Sequence, residues 1–240
     1  LIKLKGSAFN VPFNFNYNRK FESSDSEEID IVAKSLKLNF FNESIFDEEN
    51  NIAGKNIISF LNSKINTNYK IKNNIITFGS TNSKLKNSKV SYNGKVSINP
   101  FDLNININLD NYDLRKFFRS NTILNELIKT ELLFNDNISV SASITTISDF
   151  QNKIYKNAKI YFNLIDGKLN INKTRLINKK IGLIELDNSN LSYENNRLIL
   201  STDIIVDIKN SNKLFSLLQT NKQFRKPIKN ILINLDYDFL

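Results

Sequence analysis

The 240 residues include no Cys and no His, and 33 Lys and Arg against 24 Asp and Glu give a formal net charge of +9. That composition excludes a thiol nucleophile, an imidazole base and a Cys/His zinc site. Asn supplies 41 residues while Gly contributes 6, Pro 3 and Met none. This is the bias that A+T-rich coding supplies, and it accounts for the surplus of Lys; attraction to acidic lipid headgroups is the alternative reading of the charge.

Taken in chain order, the dominant signal is two-residue alternation. Val11, Phe13, Phe15 and Tyr17 are separated by Pro12, Asn14 and Asn16, so one face of a strand is apolar and the other polar. The polar run Glu22 to Glu28 reads as a loop, and 42–55 as a softer region. Asn73-Asn74 parts two strand-like runs, Tyr69 to Lys72 and Ile75 to Phe78. Asn tolerates the left-handed backbone such turns need. Val90, Tyr92, Val96 and Ile98 keep the beat with Gly94 in the row, and Asn99-Pro100 separates them from Leu103, Ile105, Ile107 and Leu109.

A medium helix is predicted over 113–134. Leu114, Phe117, Phe118, Leu124, Leu127, Ile128 and Leu132 recur there at three- and four-residue spacing. Asn111 or Asp113 is placed to cap it, and Ser120-Asn121 is its weak point. Alternation resumes at Ile138, Val140, Ala142 and Ile144. Asp166-Gly167 is a hairpin signal between Ala158–Ile165 and Lys168–Ile171, and Asn195-Asn196 separates two further strands. A short helix is predicted over 211–219, stopped by Pro227. Ile231, Ile233, Leu235, Tyr237 and Phe239 close the chain in strand rhythm.

The class expected is therefore mainly β with minor α. It is a curved antiparallel amphipathic sheet, groove-like or open-barrel-like, with one medium and one short helix. The expected organisation is a single elongated β-rich segment over 1–240. A start at Leu1 with no Met suggests a piece of a longer protein.

Carboxylates offer no chemistry in this pattern. Asp236 and Asp238 alternate with Leu235, Tyr237 and Phe239, which puts them on a solvated face. Asp203 and Asp207 bracket an apolar run in the same way. Asp47-Glu48-Glu49 lacks the alternating ligands and central Gly of a calcium loop. No catalytic residue, cofactor or metal is expected. No nucleic-acid partner is expected either, because Lys84, Lys86 and Lys89 are scattered rather than striped with stacking aromatics.

The informative quantity is the amount of apolar strand face, more than one medium and one short helix can cover. Such a face closes on itself as a sandwich or barrel, turns outward as a membrane barrel, or stays open as a groove for lipid chains. For the groove, the candidate lining is Val11, Phe13, Phe15, Leu103, Ile105, Ile107, Ile160, Phe162 and Leu164. The alternative is a non-catalytic structural or interaction module with a fully self-buried core.

The run Ile160-Tyr161-Phe162-Asn163-Leu164-Ile165-Asp166-Gly167-Lys168-Leu169 resembles the F-x-L-x-D-G-x-L hairpin of AsmA-like C-terminal regions. Gly182-Leu183-Ile184-Glu185-Leu186 is similar to the family's G-x-I-x-L strand, and the closing run from Val206 is similar to its strand, short helix and final strand. The resemblance implies a body in the periplasm, tethered to the inner membrane by an anchor outside this segment. It also implies a hydrophobic groove that carries phospholipid acyl chains toward the outer membrane, with other envelope proteins as partners.

Overall fold

The computed structural model describes residues 1–8, 10–21, 25–47, 51–112, 138–147, 157–194 and 197–238. The chain is mainly β, as the alternation predicts, and the ladders within residues 2–98 and within residues 138–238 are antiparallel. It folds as two compact units, Leu1–Asn99 with Leu103–Asn108, and Pro100–Asp102 with Leu109–Leu240.

The first unit is a meander. Strands β1 (Ile2–Ala8), β2 (Val11–Lys20), β3 (Ser26–Ala33), β4 (Leu38–Phe46), β5 (Ile52–Phe60), β6 (Ser63–Lys72), β7 (Ile75–Leu85) and β8 (Ser88–Ile98) follow in chain order. Each pairs with the next, and β1 is an edge. The turns are short because left-handed residues close them. Asn73 and Asn74 have φ of 50° and 60°, the mirror-image turn that matches strand twist. Leu61 (φ 52°) and Lys86 (φ 55°) do the same work at two other turns, each followed by a single Asn, Asn62 and Asn87.

Two sequence expectations give way here. Ser26 to Glu28 belongs to β3 rather than to a loop, because Glu27 and Glu28 lie opposite Arg19 and Asn18 across the ladder. Cross-strand charge pairs hold a strand that hydrophobic rhythm does not mark. The softer region 42–55 is likewise mostly strand, the end of β4 and the start of β5.

Register sets the two faces of this unit. One row of facing residues, Leu4, Phe15, Ile31, Phe40, Ile58 and Ile65, crosses β1 to β6. A second, Phe46, Ile52, Ile71, Ile76 and Val96, crosses β4 to β8 on the same side. The opposite face carries Asn16 donating to Asp30 (3.2 Å) and the ion pairs Lys20–Glu28 (3.0 Å) and Lys55–Glu43 (2.6 Å). In β9 (Phe101–Asp110) the amide of Asn106 donates to Asn93 on the polar face, so Leu103, Ile105 and Ile107 take the apolar one.

The second unit holds β10 (Ile138–Ile147), β11 (Asn157–Ile165), β12 (Lys168–Asn170), β13 (Arg175–Asn178), β14 (Gly182–Glu194), β15 (Arg197–Ile208), a helix α1 (Ser211–Leu217) and β16 (Asn230–Asp238). The long β14 spans both β12 and β13, which pair with β11 on their other side. Asp166 and Gly167, at φ 50° and 65°, make the predicted hairpin. The side chain of Asn210 caps α1, accepting from the Lys213 amide at 3.1 Å. The helix stops at Leu217, two residues early. A left-handed Gln219 (φ 53°) ends it, well before Pro227. The helix predicted over 113–134 and the turn Asn195-Asn196 lie outside the described residues.

Candidate functional site

The two units treat their apolar residues differently. In the second, Ile160 and Leu164 are 3% and 2% exposed. Leu164 packs with Leu169, Leu191 and Leu198, and Phe162 and Val140 lean on that cluster. In the first, the fully buried hydrophobic residues among those described are Ala33 and Val90. Ile2 and Leu4 on the edge strand are 50% and 58% exposed, and Ile58 and Phe60 on β5 37% and 44%.

The nine candidate lining residues divide accordingly. Val11, Phe13 and Phe15 on β2 and Leu103, Ile105 and Ile107 on β9 are half-buried on the apolar face of the first unit. Ile160, Phe162 and Leu164 on β11 belong to the second unit, in or against its core.

Three glycines shape the apolar face. Gly6 lies opposite Phe13, Gly54 opposite Tyr69 and Gly94 opposite Phe78. A Cβ added to each would come within 2.8 Å of Phe13, 2.5 Å of Tyr69 and 2.5 Å of Phe78. The rings therefore lie down across the neighbouring strand and cover bare backbone. An aromatic beside a strand glycine restores the packing that the missing side chain forfeits.

Between the two apolar rows runs a polar seam that alternation does not reveal. Asn42, Asn56 and Thr67 stand in register across β4, β5 and β6, on the same face as Phe40 and Ile58. The Asn42 amide donates to Asn56 Oδ1 at 2.5 Å and to Tyr69 Oη at 2.9 Å. Ser44 Oγ donates to Asn42 Oδ1 at 2.9 Å. Thr67 Oγ1 and Tyr92 Oη are 2.5 Å apart. At the neighbouring bulge, Ser83 Oγ accepts from the Asn66 amide (2.9 Å) and donates to its carbonyl (3.2 Å). That hydroxyl replaces ladder bonds lost where the register shifts. A signal for the seam was present in the sequence: inward positions of β4 read Leu38, Phe40, Asn42, Ser44 and Phe46, polar in the middle.

Charge gathers at one end of this face. Arg19 pairs with Asp25 at 2.6 Å and Glu27 at 3.4 Å, and its guanidinium lies 4.8 Å from the centre of the Phe21 ring. The hydrogen bond from Arg19 holds the Asp25 carboxyl below its ordinary range and raises the guanidinium. The hollow of about 390 Å³ beside Asn68, Gly79, Asn93 and Asn108 is lined chiefly from the polar face.

No family model, curated protein or solved structure matches this chain.

Proposed function

We propose that the chain is a non-catalytic lipid-handling module of the AsmA-like kind, whose first unit offers its apolar sheet face to phospholipid acyl chains. The observation that carries this reading is that β1 to β8 set two long apolar rows on one face while fully burying, among the described hydrophobic residues, Ala33 and Val90. An acyl chain laid on such a face removes apolar area from water on both sides, at about 25 cal/mol per Å². It needs no directional bonds, which suits chains of varied length. In this reading the module works in the periplasm, tethered to the inner membrane by an anchor outside the segment, and assists phospholipid transfer or outer-membrane assembly.

The second unit fits the alternative of a self-buried structural module, since Ile160, Leu164, Leu169, Leu191 and Leu198 are covered. In this reading it carries no lipid itself.

The test is to mix the purified 240-residue chain with phosphatidylethanolamine–phosphatidylglycerol vesicles, separate protein by gel filtration and measure retained lipid by mass spectrometry. Lipid should travel with the protein, and Phe15→Asp and Ile58→Asp should each reduce it. No retained lipid, or retention by both variants equal to that of the wild type, overturns the proposal.

A further inference from the structure

We infer that the polar seam of the first unit recognises the ester linkage of a diacyl lipid, with Asn56 as the donor; the inference rests on the lipid-handling reading above. The seam is neutral and nearly self-satisfied. Asn42 spends its amide hydrogens on Asn56 and Tyr69 and its carbonyl on Ser44, and the Thr67 hydroxyl meets Tyr92. Asn56 uses its Oδ1 alone. Its Nδ2 donates to no group among the described residues, although the residue is half-buried on an apolar face. A donor in that position is left unsatisfied if plain hydrocarbon covers it.

The surroundings define the complement. Along β5, Ile58 stands two residues from Asn56 on one side, about 7 Å away, and Ile52 four residues on the other, about 13 Å. Along β6, Ile65 and Ile71 flank Thr67 in the same way. The matching ligand therefore has an acceptor joined directly to hydrocarbon. The acceptor is uncharged, because the cation found on this face, Arg19, is at the strand ends and already holds Asp25 and Glu27. An ester carbonyl answers that description. A free fatty acid has an anionic carboxylate at its terminus, and an alkane has no acceptor.

The experiment compares two probes with the full 240-residue chain: vesicles of dioleoyl phosphatidylcholine, and of the dialkyl ether lipid with the same chains and headgroup. The ether lacks the carbonyls. Wild-type protein should retain the ester lipid more strongly than the ether, by about two- to tenfold for one hydrogen bond. Asn56→Ala and Asn56→Leu, both uncharged and without the donor, should each lower ester retention to the level of the ether. A circular dichroism spectrum checks that each variant is folded. Equal retention of the two lipids by wild type, or a preference that survives in both variants, overturns the inference and leaves lipid handling standing. Retention of neither lipid overturns the lipid-handling reading and this inference together.

Discussion

The ring of Tyr69 lies across Gly54, and the glycine is what lets the hydroxyl reach over β5 to Asn42 and Ser44 on β4. A Cβ at position 54 would sit 2.5 Å from Tyr69 Oη and 2.5 Å from the Glu43 carbonyl oxygen. Gly54→Ala is thus expected to destabilise by about 1–3 kcal/mol, the usual cost of forcing an atom into filled space. Tyr69→Ala in the same chain should recover only part of it, since the Glu43 contact is with backbone. Urea midpoints of the single and double variants check this.

Truncation should hurt the two units unequally. Leu164→Ala, in the sealed cluster of the second unit, is expected to cost about 2–5 kcal/mol because it leaves a cavity. Ile58→Ala should cost under about 1 kcal/mol, since the 37% exposed side chain gives up less buried area. Chemical denaturation followed by circular dichroism compares them. Equal losses would show that the apolar face of the first unit is packed as tightly as the second unit's core.

Ser189 is fully buried at the bulge of β14, where register shifts between Asp187 and Asn190. Its backbone amide donates to Asn172 Oδ1, and its hydroxyl pairs with Thr202. Asn172→Ala would strand that amide, an expected loss of about 1–3 kcal/mol. Amide hydrogen exchange at Ser189 should accelerate in the variant relative to the amides of β11.

Acid should weaken the fold through particular carboxylates. Asp203 accepts from Asn188 (2.7 Å) and Asn234 (2.5 Å), which lowers its pKa. Lys20, then Asn18, lowers that of Glu28, and Arg19 that of Asp25. A depressed folded-state pKa adds stability above the unfolded value, about 3.9 for Asp, and that stability disappears as pH falls through the lower folded value. Urea midpoints should therefore fall between about pH 4 and pH 2, and Asp203→Asn should flatten part of the decline. Each contribution is small because these groups are solvent-exposed.

Most strands were legible because Phe13, Phe15, Leu103 and Ile105 alternate with Asn, and the Asn73-Asn74 and Asp166-Gly167 turns announce themselves. Ser26–Glu28 and 42–55 were hidden because charge pairs and side-chain amides, not oil, line those stretches. The split fate of the nine lining candidates was equally hidden. Phe15 and Leu164 have the same period and the same chemistry. What separates them is burial in the folded chain, since Leu164 packs with Leu169, Leu191 and Leu198 while Phe15 stays half-buried, and no local pattern encodes that. The seam was half visible, as polar residues at inward positions, but its meaning depends on register across three strands.

In the first unit every strand from β2 onward finds its partner in the strand just before it. No pairing there waits for a distant segment, so loop closure costs little entropy at each step. Such a chain can zip up in the order in which it emerges from a ribosome or a narrow pore, one hairpin at a time, and local topology of this kind favours quick folding. The same economy makes the growing end a bare strand edge at every stage, so the speed of the next addition is what protects the unfinished sheet from its neighbours.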